Sequence, residues 1–99
     1  MDYFYDHQTD ELSITKGDFA TYAETHELSP GAVLHVSKRR HPLALQVSGA
    51  RAKLDVAGLV SFEQRPIDPA ELAKRMSASE IGRRLWRAIS APVHLILAS

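Results

Sequence analysis

Residues 32–48, AVLHVSKRRHPLALQVS, decide the fold because they contain two alternating apolar runs joined by a basic turn. Every second residue of each run is apolar: Ala32, Leu34 and Val36 in the first run, and Leu43, Leu45 and Val47 in the second. A period of two places such residues on one face of a β-strand. The turn at 39–42 then predicts two antiparallel strands with one buried face.

The same period continues towards the N-terminus. Strands are predicted at residues 3–5, 12–15, 21–28, 32–38 and 43–48. The third of these strands is expected to place four residues on one face: Tyr22, Glu24, His26 and Leu28. A Pro30-Gly31 turn follows it, with proline presetting φ and glycine free to adopt a positive φ. Five short strands with this spacing are typical of an antiparallel meander.

Residues 52–64 have a less regular pattern, interrupted by Gly58. The apolar run at 59–62 is interpreted as a strand. Residues 53–57 fit a strand or one helical turn, and we expect a strand.

A helical period begins after Asp68. Asp68 is a typical N-cap residue, Pro69 suits the first helical position, and Glu71 occupies the third. Leu72 and Met76 form an apolar stripe on the resulting helix, which we predict at 69–76.

A second helix is predicted at 78–90, after a sharp turn at Ser77. Ser77-Ala78-Ser79-Glu80 matches the capping box S-x-x-E. The apolar face of this helix consists of Ile81, Leu85, Ala88 and Ile89. Pro92 ends it, and the apolar run at 93–97 is interpreted as a short strand that returns to the sheet.

These patterns predict an α+β fold, an antiparallel β-meander of five to seven short strands covered by two C-terminal helices. We expect a single domain over residues 1–99, with 1–64 mainly β-sheet and 65–99 a helical pair plus a short C-terminal strand. A chain of 99 residues with 44% hydrophobic content fits one globular unit. The absence of cysteine excludes disulfides and thiolate chemistry.

We expect a cytoplasmic protein with no membrane association. No apolar run approaches the roughly 20 residues that a membrane span needs. The N-terminal residues 1–6, MDYFYD, are acidic and aromatic, unlike a signal or transit peptide.

A motif at residues 5–15, YDHQTDELSIT, has the form Y-D-x-x-x-D-x-L-x-I, and LSPGAV at 28–33 and LALQVSGA at 43–50 follow it. This set resembles the small bacterial proteins of the family named domain of unknown function 2283, over residues 3–51. The basic tip at 38–41 and the helical tail from Asp68 depart from the pattern of that family. The family has no established activity, and some similar proteins resemble members of toxin–antitoxin gene pairs. The resemblance therefore implies a binding role that is antitoxin-like or regulatory.

The two aspartates of this motif are interpreted as turn residues. Asp6 and Asp10 flank a hairpin, where carboxylates accept backbone N–H bonds. Together with His7 and Glu11 they offer ligands for a divalent ion, but the spacing does not match a calcium loop. We therefore expect no metal site here.

The five histidines show no metal-ligand spacing such as H-x-H or H-E-x-x-H. His26 and His35 lie on strands that flank the Pro30-Gly31 turn. Two adjacent imidazoles there would make a pH-sensitive spot or part of a metal site. We prefer the interpretation that both are partly exposed strand residues.

Catalytic motifs are missing from the sequence. No serine lies in a G-x-S-x-G elbow, and the five glycines form no phosphate-binding loop. A chain of 11.0 kDa also leaves little room for a deep cleft. We expect no enzymatic activity, no catalytic residue and no cofactor.

The basic residues give the best indication of function. Residues 1–30 hold seven acidic residues against one lysine, whereas both later thirds carry an excess of basic residues. Arg83, Arg84 and Arg87 fall within about 100° of one another on a helical wheel.

Residues 69–90 also resemble a helix-turn-helix segment, although Ser77 occupies the usual position of the turn glycine. Glu80 has the spacing of an ordinary ion-pair partner for Arg83 and Arg84.

The candidate binding residues are therefore Arg39, Arg40, Arg83, Arg84, Arg87 and Trp86. Trp86 borders the apolar face of the second helix and is a residue type enriched in interface anchors. Our hypothesis is a small non-enzymatic interaction protein that binds a protein partner or forms a homodimer. A DNA-binding regulator using residues 69–90 is the alternative, and a small enzyme of unknown reaction is the third.

Overall fold

The computed structural model describes residues 1–61 and 63–90, and it confirms an α+β fold. These residues form six strands: β1 (Asp2–Asp6), β2 (Glu11–Thr15), β3 (Tyr22–Ser29), β4 (Ala32–Ser37), β5 (Pro42–Ser48) and β6 (Arg65–Pro66). Two helices follow, α1 (Pro69–Met76) and α2 (Glu80–Ser90). Short 3-10 helices occupy Phe19–Thr21 and Ala50–Ala52. The strand predicted at 93–97 lies outside the described residues.

The strands form one antiparallel sheet in the order β3-β4-β5-β2-β1-β6. The β1–β2 hairpin and the β3–β4–β5 meander are joined where β2 pairs with β5, with Leu12 opposite Val47 and Ile14 opposite Leu45. The short strand β6 pairs with the outer edge of β1 and was not predicted. Two residues that include a proline carry no readable period.

One face of the sheet is buried beneath the helices, as the alternating pattern predicted. Its buried residues are Tyr3, Tyr5, Leu12, Ile14, Leu34, Val36, Leu45 and Val47. The helices contribute Leu72, Met76, Leu85 and Ile89 to the same core. Helix α2 packs on β4 and β5, and α1 packs beside α2. The other face, here called the open face, carries no α-helix in the part of the chain that the structure describes.

A bulge in β3 reverses the facing of its first residue. Tyr22 lies opposite Ser37, whereas Glu24 lies opposite Val36, so one extra residue separates the two pairs. An extra residue shifts the alternation of side chains. The prediction that Tyr22 shares a face with Glu24 and His26 is therefore wrong, because Tyr22 lies on the open face.

The strand prediction for residues 52–64 is also wrong among the described residues, where Ser61 forms only an isolated bridge with Tyr5. At residues 55–57 the reason is Arg75 of α1, whose Nη1 donates to the carbonyl oxygens of Asp55 at 3.1 Å and Ala57 at 2.7 Å. The Asp55 N–H donates in turn to the Arg75 carbonyl oxygen at 2.9 Å. Backbone groups that a strand would use are thus bound to a helix instead.

The start of α2 differs from the predicted position by two residues. Ser79 Oγ accepts the Gly82 N–H at 2.9 Å and donates to the Lys53 carbonyl oxygen. Ser79 therefore caps the helix, and the prediction that Ser77 caps it is wrong. Ser77 Oγ donates to the Ala73 carbonyl oxygen at 2.7 Å and so belongs to the end of α1.

Gly82 is a point of close approach between α2 and the backbone of neighbouring segments. It is buried, and a Cβ atom there would overlap the carbonyl oxygen of Met76 and come within 2.8 Å of that of Lys53. Both neighbours are backbone atoms, so neither can move without shifting an element.

Replacing this glycine by alanine tests that close approach. Helix propensity alone predicts that Gly82→Ala stabilises α2 by about 1 kcal/mol. The overlap of the new Cβ atom with the backbone outweighs this gain. We therefore expect a net loss of about 1–3 kcal/mol in the free energy of unfolding. Denaturant unfolding followed by circular dichroism measures it, and a more stable variant would contradict the packing described.

The turn between β1 and β2 confirms the interpretation of Asp6 and Asp10 as turn residues. Asp6 Oδ1 accepts the Gln8 N–H at 2.9 Å. Asp10 adopts a φ of 56°, a left-handed conformation that aspartate tolerates. Its carboxylate accepts the Tyr5 hydroxyl at 2.6 Å and the Arg51 N–H at 3.1 Å. The turn is thereby tied to the chain that leaves β5.

Tyr5 is fully buried, and this burial is the largest cause that raises the pKa of its hydroxyl above the ordinary 10.0. The hydrogen bond to Asp10 and the negative charge of that carboxylate raise the pKa further, while Arg51 lowers it in part. The folded protein therefore holds this proton more tightly than the unfolded chain does.

Stability should consequently fall in alkali. Above pH 10.0 the unfolded chain loses the Tyr5 proton first, so the free energy of unfolding declines as the pH rises towards the higher folded-state pKa. Tyr5→Phe removes this contribution and costs about 1–2 kcal/mol at neutral pH through the lost hydrogen bond. Tyr22→Phe, at an exposed hydroxyl, is the control. Urea unfolding at pH 7 and 10.5 measures the free energy of unfolding of both variants. Equal losses in Tyr5→Phe and Tyr22→Phe would contradict the raised pKa and the hydrogen bond assigned to Tyr5.

Candidate functional site

The predicted arginines of α2 lie together on its outer face. Arg83, Arg84 and Arg87 are exposed, while Leu85 and Ile89 of the same helix are buried. Arg83 Nη1 donates to the Ser77 carbonyl oxygen at 3.2 Å. Within residues 1–61 and 63–90, no ion pair involves any of the three. These three residues are here called the arginine face.

A groove runs beside the arginine face, between α2 and the edge strand β3. It encloses about 130 Å³ and is lined by Leu28, Ser29, Ile81, Arg84, Leu85 and Ala88. Ile81 was predicted to be part of the core, but it is 40% exposed at this groove. Arg84 belongs to both the groove and the arginine face. The apolar residues that line the groove therefore lie next to a positively charged side chain, that of Arg84.

Arg39 and Arg40 belong to a different element from the arginine face, the turn between β4 and β5. Both are exposed, and Arg40 adopts a φ of 65°. Lys16 Nζ donates to the Ile89 carbonyl oxygen at 3.0 Å, and the Lys16 N–H donates to that of Leu43 at 2.7 Å. The end of α2 thus lies near the start of β5, at the end of the sheet that carries this turn.

Trp86 is partly buried and packs against the edge of the core. It lies on the opposite flank of α2 from Ile81, since the two are separated by about 140° on a helical wheel. Its position therefore favours a packing role, and the structure does not bring it into the groove.

The two strand histidines point to opposite faces of the sheet. His26 lies opposite Leu34, whereas His35 lies opposite Thr25, the next position along the pair. Neighbouring positions on a strand alternate in facing, so the alternative of two adjacent imidazoles is excluded. The preferred interpretation, that both are partly exposed strand residues, is confirmed. His26 Nε2 lies 3.0 Å from Glu24 Oε2, a distance that suits an ion pair when the imidazole is protonated, although the contact lacks hydrogen-bond geometry.

The described residues form neither a metal-binding cluster nor a membrane-spanning helix. The described residues contain no group of three or more His, Asp or Glu side chains arranged to hold a metal ion. No helix among them is long and apolar enough to cross a membrane.

The structure reveals an aromatic cluster that the sequence did not indicate. Phe19, Tyr22 and His35 meet on the open face, with ring centroids 6.0 Å apart for Phe19 and Tyr22 and 5.5 Å apart for Phe19 and His35. The sequence places Phe19 and Tyr22 just after the Lys16-Gly17-Asp18 turn, but nothing in it shows that the bulge in β3 turns Tyr22 to this face.

Comparison with known proteins gives no assignment: the chain matches no family model, no curated protein and no solved structure. The resemblance of residues 3–51 to domain of unknown function 2283 stays a prediction.

The exposure of the arginine face leads to a prediction about stability. Replacing Arg83, Arg84 and Arg87 together by alanine should change the free energy of unfolding by less than about 1 kcal/mol, since exposed side chains contribute little and alanine favours helix. Urea unfolding of the triple variant tests this. A larger loss would mean that these side chains support the fold rather than face a partner.

Proposed function

We propose that this chain is a non-enzymatic cytoplasmic binding protein whose arginine face and adjoining groove capture an acidic protein partner. The observation that carries the proposal is the junction at Arg84, an exposed residue of the arginine face that also lines the groove beside the exposed side chain of Ile81.

Charge defines the partner on one side of this junction. Guanidinium groups form charge-assisted and bidentate hydrogen bonds with carboxylates, so a row of three suits a segment that carries several Asp or Glu residues. The internal alternative, a pair between Glu80 and Arg83 or Arg84, does not occur among the described residues. The arginines are therefore available to an external anion.

Apolar contact defines the partner on the other side. Leu28, Ile81 and Ala88 border the groove, and its volume of about 130 Å³ suits one or two side chains rather than a whole helix. A partner segment with an apolar anchor followed by acidic residues would fill the groove and reach the arginine face. Exposed apolar surface next to charge is typical of protein interfaces.

The edge strand beside the groove offers further binding groups. Among residues 1–61 and 63–90, strand β3 is the last strand on its side of the sheet, and it is eight residues long. An unpaired edge can accept an added strand, and main-chain hydrogen bonds then supply affinity. The partner segment is accordingly expected to be extended where it passes Leu28.

Affinity capture from a lysate of the native host, using the purified chain as bait, tests the proposal. Arg84→Glu and Ile81→Asp should each weaken the capture of the same partner at least tenfold, equivalent to about 1.4 kcal/mol. Lys74→Glu, which changes an exposed lysine of α1 in the same way, is the matched control and should leave capture unchanged. The purified partner should bind less tightly as the salt concentration rises.

Three results would overturn the proposal. Capture that survives both variants would place the partner elsewhere on the molecule. Light scattering that shows a dimer of the chain, dissociated by Ile81→Asp, would make the groove a self-association surface. Duplex DNA binding that falls steeply with salt and is lost in Arg84→Glu would instead support a DNA-binding regulator.

A further inference from the structure

The open face carries an exposed aromatic cluster away from the arginine face. Phe19 and Tyr22 are 49% and 43% exposed, and their rings are stacked at an interplanar angle of 20°. His35 contacts both rings, at 5.5 Å from Phe19 and 5.8 Å from Tyr22. Large exposed rings cost free energy in water, so a cluster of them indicates a surface that binds something.

A chain of hydrogen bonds holds this cluster in place. The Tyr22 hydroxyl and Thr25 Oγ1 lie 2.6 Å apart, and Thr25 Oγ1 lies 2.8 Å from His35 Nδ1. His35 Nε2 lies 3.3 Å from Gln46 Oε1. Three strands thus fix the orientation of the rings, which lowers the entropy cost of binding a ligand against them.

A basic cleft adjoins the cluster. It encloses about 480 Å³ and is lined by Ala20, Thr21, Ser37, Lys38, Arg39 and His41. Ala20 and Thr21 lie between Phe19 and Tyr22 in the chain, and Ser37 lies opposite Tyr22 in the sheet. The cluster and the cleft therefore share a wall, formed by the 3-10 helix Phe19–Thr21.

The acidic residue next to this wall is turned to the backbone. Asp18 Oδ1 accepts the Ala20 N–H at 2.9 Å and caps the 3-10 helix. Lys38, Arg39 and Arg40 are all exposed in the turn that borders the cleft, so the local charge there is positive.

We propose that the open face binds single-stranded nucleic acid, with bases stacked on Phe19 and Tyr22 and the phosphates held by Lys38 and Arg39. Exposed aromatic rings beside cationic side chains are the two features that single-strand binding requires, because every base has a stackable face and every linkage a negative charge.

A single strand fits the cluster better than a duplex. Stacking on a protein ring requires bases that are not already stacked and paired, as in loops and ends. In the part of the chain that the structure describes, no α-helix lies on the open face to enter the major groove of a duplex.

Fluorescence anisotropy with labelled oligo-dT and oligo-U of about 10 nucleotides tests the proposal, with a duplex of equal length for comparison. Phe19→Ala and Tyr22→Ala should each weaken single-strand binding by about 5- to 150-fold. Lys38→Gln and Arg39→Gln should each reduce the slope of log affinity against log salt by about 0.7. The ratio of the oligo-dT and oligo-U affinities distinguishes a preference for DNA from one for RNA.

Phe4→Ala is the matched control, because Phe4 is 38% exposed on the same face but lies on β1, four strands away from β3. It should bind like the unaltered chain. Absence of saturable binding at low salt would overturn the proposal, as would equal losses in Phe4→Ala and Phe19→Ala or a preference for the duplex. Circular dichroism establishes that each variant is folded.

This proposal and the proposed function can fail separately. Arg84→Gln should leave oligonucleotide binding unchanged, and Phe19→Ala should leave capture of the acidic partner unchanged. Loss of both activities in either variant would overturn the assignment of two distinct surfaces.

Discussion

The arrangement of the chain depends on the carboxylate of Asp10. It accepts the hydroxyl of buried Tyr5 at 2.6 Å and the N–H of Arg51 at 3.1 Å, while the Asp10 carbonyl oxygen accepts the Ala50 N–H at 3.0 Å. One residue thus connects the β1–β2 turn, the core and the segment that leaves β5. A charged acceptor with several donors is strongly held in a partly buried site. The start of the segment that follows β5 is fixed to the sheet at this junction.

The two proposed surfaces follow from how the segment after residue 50 returns. The Lys53 carbonyl oxygen accepts the hydroxyl of Ser79 at the start of α2. The guanidinium group of Arg75 in α1 donates to the carbonyl oxygens of Asp55 and Ala57. These contacts place both helices on one face of the sheet, and no α-helix of the described residues covers the other face. An antiparallel sheet tolerates such one-sided cover, since its strands alternate between apolar and polar side chains. Binding groups are therefore distributed over two opposite sides of a small molecule.

Electrostatics separates these surfaces as well. The arginine face of α2 adjoins apolar Leu28 and Ile81, which suits a protein segment with an acidic and an apolar side. The turn that holds Lys38 and Arg39 adjoins exposed aromatic rings, which suits bases and phosphates. The net charge of zero does not indicate either basic surface, because the acidic residues that balance the charge lie mostly in the first 30 positions. Local composition rather than net charge indicates what each surface can bind.

The sequence by itself determined the strands of the first half and the existence of two helices, because alternating and helical periods record burial directly. It also determined the turn role of Asp6 and Asp10, since short carboxylates bind nearby backbone N–H groups. Only the tertiary structure decided the path of residues 53–61, where a distant arginine binds the backbone. It likewise decided the separation of His26 from His35 and the meeting of Phe19 with Tyr22. The contact between Phe19 and Tyr22 depends on a bulge of one residue in β3. That bulge arises from the pairing register of β3 with β4, which depends on residues distant in the chain.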